Sequence, residues 1–266
     1  MGNAVIVGRL IVVRVRSQAQ YRISFCLELV ASFGATLINL FAILFLFQTF
    51  PTLGGWSIGE VFFLYGLISV AFGLSQIIGA GFDTVPSLVR SGDFDRLLTR
   101  PVPPFLQVMA TDIQTRRLGW VAQGVLGLSL AQRKLTLDWS ASRLLVTLTA
   151  IGSSPMVFLT ILVIGASLCF WSVEPTEIQN VFTYGGSEMT SYPIHIYERW
   201  LRDIFLYAIP LGLTSFYPAL YVLHRPDPLG LPSIAPFVSP VVAAAFFAAG
   251  LWVWSSGMRH YQGTGN

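Results

Sequence analysis

The sequence predicts an all-α membrane protein with six transmembrane helices, an N-terminal interfacial amphipathic helix and a short cytoplasmic helix between spans 2 and 3. Three observations predict this. Of 266 residues, 54% are hydrophobic and only 11% charged, where a soluble domain carries about 25%. The mean hydropathy is +0.66. The apolar residues gather in long runs separated by short polar or Pro/Gly-rich stretches. So few charges cannot cover a water-soluble globule, which excludes a soluble enzyme and a disordered chain. The net charge of +3 is too small to point to nucleic acid.

The whole chain, 1–266, reads as one transmembrane domain. Residues 4–22 alternate apolar residues with Arg9, Arg14, Arg16 and Arg22, the pattern of a helix lying on the membrane surface. The same arginines exclude a cleavable signal peptide. Residues 23–50 form the first span, with Glu28 as its only charge. Pro51 to Ser57 turn the chain into the second span, 60–82. A polar loop, 83–104, follows.

The third span is placed at 108–132. From Leu118 to Gln132 run 15 residues, about 22 Å of helix, against a hydrocarbon core of ~30 Å. The helix therefore has to begin earlier and carry Arg116 and Arg117 near the headgroups, where arginines snorkel. Residues 143–171 form the fourth span, with Pro155 inside it. Residues 172–203 hold Glu174, Glu177, Glu188, Glu198, Arg199, Arg202 and Asp203 and are expected outside lipid. The fifth span, 204–223, is broken by Pro210 and Pro218, a natural hinge because proline lacks a backbone donor. The sixth is 235–257. Cys26 and Cys169 lie in apolar runs and read as small buried hydrophobes.

Six spans place both termini on one side. Basic residues concentrate in the N-terminal segment and in the loop extended to Arg117, so the positive-inside rule puts both termini, 83–104 and 172–203 in the cytoplasm. The expected location is a bacterial inner membrane, multi-pass.

No catalytic group is legible. A P-loop needs a lysine among glycines, and Lys134, the only lysine, stands in Gln132-Arg133-Lys134-Leu135 on the outer side. His195, His224 and His260 are scattered, so no metal site is expected. A Gly-x-Ser-x-Gly elbow is absent.

The most informative stretch is the loop Gly92-Asp93-Phe94-Asp95-Arg96-Leu97-Leu98-Thr99-Arg100-Pro101, with Gln107 following. Gly92 and Asp93 stop one helix and start another. Phe94, Leu97 and Leu98 share one face of the second, and Pro101 ends it. Two readings stand: a docking knob for a soluble partner, or an interfacial helix that anchors the loop.

This stretch resembles the Gly-x-Phe/Leu-Asp-x-x-Leu-x-Arg-Pro signature of ABC-2-type permeases. It is most similar to their six-span export subfamily, once of unknown function. Gln20-Tyr21-Arg22 before span one, Tyr207-Ala208-Ile209-Pro210 with Tyr217-Pro218, and the end from Trp254 through Gly257 to Arg259 and Tyr261 are similar as well. The resemblance implies the permease subunit of an ATP-binding cassette exporter. Energy would come from a separate ATPase dimer, which would carry ATP and Mg, leaving no cofactor on this chain. The second permease would be identical or homologous. The loop then maps onto a coupling helix: Gly92, Asp93, Phe94, Asp95, Arg96, Leu97, Arg100 and Pro101, with Phe94 and Leu97 as the apolar knob. Tyr197, Arg199 and Arg202 would form a second ATPase contact. The expected substrate is a hydrophobic or cationic amphiphile. The alternative is a stand-alone secondary transporter or channel.

Inside the spans, Glu28, Ser32, Thr36 and Asn39 share a face. They read either as a polar wall of the substrate path or, for Glu28, as a pair with Arg22, and for Asn39 as interhelical glue. Gly66, Ser69, Gly73, Gln76 and Ala80 form a small-residue stripe. It is either a packing seam, between permeases for example, or a substrate wall that includes Gln76.

Overall fold

The computed structural model describes residues 22–112, 114, 117–171 and 176–261. The expected interfacial helix at 4–22 lies outside that range but for its last residue. Among the described residues the architecture is all helical, and the one extended pairing is a bridge between Leu53 and Trp56.

Helix α1 (Arg22–Thr49) is followed by α2 (Ile58–Gly79), which runs through a 3-10 turn, Ala80–Thr84, into α3 (Val85–Ser91). Then come α4 (Phe94–Leu98), α5 (Pro104–Thr111), α6 (Leu118–Lys134) and α7 (Ala141–Leu168). Helix α8 (Thr176–Asn180) passes through a π turn, Val181–Gly185, into α9 (Gly186–Thr190). A bent pair follows: α10 (Arg199–Asp203) with a π turn to Ala208, then a π turn, Gly212–Phe216, into α11 (Tyr217–Val222). Helix α12 (Ser239–His260) closes the fold.

Three core layers stack along the helix axes. The first joins Leu40, Ile43, Trp56, Val61 to Leu67, Val146, Ala150, Ile194, Phe216 and Leu220. The second joins Ile68, Phe72, Val157, Phe158, Met189, Phe205, Leu211 and Ala243. The third joins Phe82, Val85, Phe94, Leu97, Leu162, Ala166, Cys169 and Trp254. The order along α2, α7 and α12 fixes two ends of the molecule. One end carries the loops 51–57 and 223–238. The other carries α3 to α5. Helix α7 alone, 28 residues, separates them by about 42 Å.

Among the described residues three helices are long and apolar enough to cross a membrane: Ile58–Ser91, Ala141–Leu168 and Ser239–His260. The segment Arg199–Ala208 with Gly212–Val222 would make a fourth if counted as one, but it bends by 77°. Large apolar side chains point outward on α1 (Leu27, Val30, Ile38, Phe41, Phe45) and on α12 (Val241, Trp252), as lipid-facing surfaces do.

Two expectations need correction. The third span is not one helix: α5 stops at Thr111, Asp112 is extended, and α6 begins at Leu118. The fifth is not one straight helix over 204–223. Phe205 and Leu211 sit in the middle layer, while Phe216 and Leu220 are back in the first. The segment therefore dips from the loop end and returns. Pro210 and an extended Ile209 make the bend. The element that climbs between the ends is 176–194. Gln179 donates to Asp83 at the α3–α5 end (2.7 Å). Met189 lies in the middle layer and Ile194 in the first. His195 then meets the carbonyl of Gly54 (3.0 Å).

The small-residue stripe on α2 is a seam within this chain. A Cβ on Gly66 would stand 2.6 Å from the Leu128 nitrogen and 2.8 Å from the Gly124 oxygen. One on Gly124 would stand 2.5 Å from the Val70 nitrogen. Backbones this close need glycine on both helices. The stripe is thus closed by α6, and Gln76, 1% exposed, lies inside the bundle.

Candidate functional site

At the α3–α5 end the chain builds a small platform. Helix α3 ends at Gly92, whose φ of 75° is left-handed and whose N–H reaches the Val89 carbonyl. Glycine takes this conformation without the Cβ penalty of other residues. Asp93 accepts from the Ser91 hydroxyl (2.9 Å) and pairs with Arg96 at 3.3 Å. The Asp95 N–H and Arg96 N–H close the turn on Gly92 and Asp93.

Phe94 is fully buried. Its ring meets Tyr261 (5.1 Å between centroids), Phe170 (5.3 Å) and Trp254 (6.4 Å), all edge-on. That is the favoured arrangement of aromatic quadrupoles. Through these rings α4 is tied to the ends of α7 and α12. Burial, with the Asp95 carboxylate beside it, pushes the Tyr261 phenol up to about 12. Leu97 is buried too. Gln107, itself buried, donates from one Nε2 to the carbonyls of Leu97 (2.8 Å) and Val102 (2.6 Å). These bonds satisfy a helix end that α4 cannot satisfy alone.

The expected apolar knob is therefore corrected. Phe94 and Leu97 point inward as anchors, because three aromatic partners offer Phe94 more contact than solvent does. What the platform presents outward is Leu98, 47% exposed, among exposed Arg90, Arg96, Arg100 and Pro101. The role of Gln107 was missed by sequence reasoning. Its place six residues after Pro101 was the available signal.

The proposed second contact does not join this platform. Ile194 to Tyr197 abut the 51–57 loop, and Trp56 and His195 rings lie 6.3 Å apart. Arg199 and Arg202 pair with Asp203 (3.7 and 3.6 Å) near that end. They are separated from α4 by the depth of the bundle, because 176–194 crosses it.

At the loop end Glu60 is the organising charge. Its carboxylate accepts the N–H and hydroxyl of Ser57 (2.7 and 2.8 Å) and a forked pair of bonds from Arg225, both 2.6 Å. Arg225 also donates to the Gly55 carbonyl (2.8 Å) and lies 5.9 Å from the Trp56 ring centre. The first turn of α2 is thus fastened to the segment after α11. In the bent pair, Pro218 has no N–H for the carbonyl four residues earlier, Thr214, and the Ser154 hydroxyl of α7 fills that place (2.9 Å).

Of the expected substrate-path residues, the side chains of Glu28 and Ser32 lie outside the described part. Asn39 donates from Nδ2 to Glu188 Oε1 (3.2 Å). Glu188 borders a cavity of about 520 Å³ between 181–192 and 197–205. Pro210 lies at the bend and Pro218 within the continuous segment after it. Among the described residues no three His, Cys, Asp or Glu side chains converge as metal ligands would.

A family model described as ABC-2 family transporter protein matches residues 33–265. No curated protein and no solved structure matches the chain. The match spans nearly the whole chain, and the chain belongs to the ABC-2 transporter family. Members are multi-pass membrane transport components, not themselves catalytic, and normally work with an ATPase subunit.

Proposed function

We propose that this ABC-2 family member is the permease subunit of an ATP-driven exporter, and that α4 is the surface through which a separate ATPase subunit moves it. One observation carries the reading: a short charged helix faces outward while Phe94 and Gln107 lock it to α5, α7 and α12. A push on Leu98 or Arg96 would reach the bundle without loss in a soft loop. ATP and Mg would be held by the partner. Closure of two ATPase subunits would draw two platforms together and rearrange the helices behind them. A second permease, identical or homologous, completes that unit.

In this reading the six crossings are α1, α2, α5–α6, α7, the 176–192 segment and α12. The bent pair 199–222 enters from the far side without crossing. Arg199 and Arg202 move to the outer end, leaving ten basic residues on the platform side against six. The platform and both termini still lie in the cytoplasm, in a bacterial inner membrane. The substrate class favoured is a hydrophobic or cationic amphiphile.

The test is purification of the tagged chain from native membranes in mild detergent. A P-loop ATPase should accompany it, and Leu98→Asp or Arg96→Glu should release that ATPase while leaving the chain inserted. A chain that emerges alone, from an extract in which other transporters keep their ATPases, would overturn the proposal.

A further inference from the structure

We propose that the cavity beside Glu188 is a binding site for a hydrophobic monocation. The cavity, about 520 Å³, is within the range of small-molecule sites. Its walls are Phe182, Tyr192, Tyr197, Trp200 and Phe205, with other apolar side chains, and among the described residues Glu188 is the only charged one lining it. An aromatic enclosure with a single carboxylate is complementary to a charge carried on an apolar body. The ring faces attract the cation directly, and the carboxylate supplies the counter-ion. A hydrophobic anion of the same shape would meet repulsion from both.

The carboxylate is held in place. Glu188 sits on α9, one turn from the π turn, and accepts from Asn39 of α1 (3.2 Å). Asn39 is uncharged, so this bond supplies the carboxylate with no counter-ion. Trp200, 66% exposed, stands at the rim, and Phe205 and Met189 form the floor in the middle core layer. The floor rests on the bent pair, and one wall is the segment that crosses the bundle. A movement of either would reshape the site. The Asn39 side chain, read from the sequence as helix glue or path, thus acts by positioning the acid.

This inference rests on the exporter reading for the fate of the ligand, but its test does not. Purified full-length chain in lipid nanodiscs, without ATP or ATPase, is titrated with tetraphenylphosphonium and, separately, tetraphenylborate, which has the same shape and opposite charge. The readout is saturable binding displacing a radiolabelled trace. Saturable binding of the cation is expected, weakened at least tenfold by Glu188→Gln and several-fold by Trp200→Ala, with Glu188→Asp retaining part. Asn39→Ala keeps the charge but loosens its aim, and should weaken binding less than Glu188→Gln. Each variant is first shown to elute and melt as the parent does. Equal binding in Glu188→Gln, equal affinity for the two ions, or no saturable cation binding would overturn the site. Cation binding by a chain that recruits no ATPase would sink the exporter reading and leave the site standing.

Discussion

Replacing Phe94 by Ala, and in parallel Leu98 by Ala, separates what α4 does for the fold from what it does for a partner. Phe94 is fully buried against Phe170, Trp254 and Tyr261, and its truncation leaves a hole the size of a ring. Phe→Ala in a core costs about 3–5 kcal/mol, and each edge-on ring contact adds about 0.5–1.5 kcal/mol to area burial. The rings of Phe170, Trp254 and Tyr261 can shift partly into the hole, so the lower end, about 3 kcal/mol, is expected. Leu98 is half exposed, and Leu98→Ala should cost no more than about 0.5 kcal/mol. The assay is thermal unfolding of the detergent-purified chain followed by size exclusion, with ATPase retention measured on the same samples. Phe94→Ala should lower the melting temperature by several degrees. Leu98→Ala should melt like the parent and retain less ATPase. If Phe94→Ala were as stable as the parent, or Leu98→Ala kept full retention, the division into inward anchor and outward contact would be refuted.

Three further outcomes follow from the packing. Arg225→Ala strands the buried Glu60 carboxylate and should destabilise by about 3 kcal/mol. Arg225→Lys should not restore the loss, since an ammonium cannot reproduce the forked bonds, and a double-mutant cycle with Glu60→Gln in thermal melts checks this. Gly66→Ala should cost about 1–3 kcal/mol, because the added methyl meets Leu128 and Gly124 backbone that no rotamer relieves. Gly34→Ala on α1, with nothing within 4 Å, should be neutral or slightly stabilising by helix propensity, and the two melts are to be compared. Ser154→Ala should cost about 1 kcal/mol by leaving the Thr214 carbonyl unpaired. Pro218→Ala should recover part of that in the double variant, by restoring a donor.

The sequence was most legible where one physical force acted alone. Helices α2, α7 and α12 are long apolar runs and were placed within a few residues, because hydropathy reports them directly. The 92–101 element was legible from Gly92, Asp93 and Pro101, whose backbone chemistry is local. What escaped was direction. The i, i+3 and i+4 positions group Phe94, Leu97 and Leu98, but not which of them faces the bundle. That was decided by Phe170, Trp254 and Tyr261, which arrive from elsewhere in the chain. The glycine stripe on α2 was legible as a seam, but its partner Gly124 could not be picked out from one helix.

The exchange of roles proposed between 176–192 and 204–223 has the same origin, and it yields the sharpest check on the topology. At 204–223, Phe205, Leu211 and Phe216 fill the protein interior, so in the proposed topology their apolarity does not report a lipid-facing span. In the proposed topology polarity hides a crossing at 176–192, because most of its polar groups are paired inside the protein. Gln179 binds Asp83, Glu188 binds Asn39, and the Thr183, Thr190 and Ser191 hydroxyls donate to carbonyls one turn earlier. A segment so satisfied can cross a membrane. Hydropathy puts Glu198 and Thr99 on the same, cytoplasmic side; the packing puts them at opposite ends. In a chain with Cys26 and Cys169 replaced by Ala, Glu198→Cys and Thr99→Cys are labelled in intact cells with a membrane-impermeant maleimide. Position 198 should label without permeabilisation and position 99 only after it. Labelling of both under one condition would mean that 176–192 does not cross, and the 199–222 hairpin would have to be a true span after all.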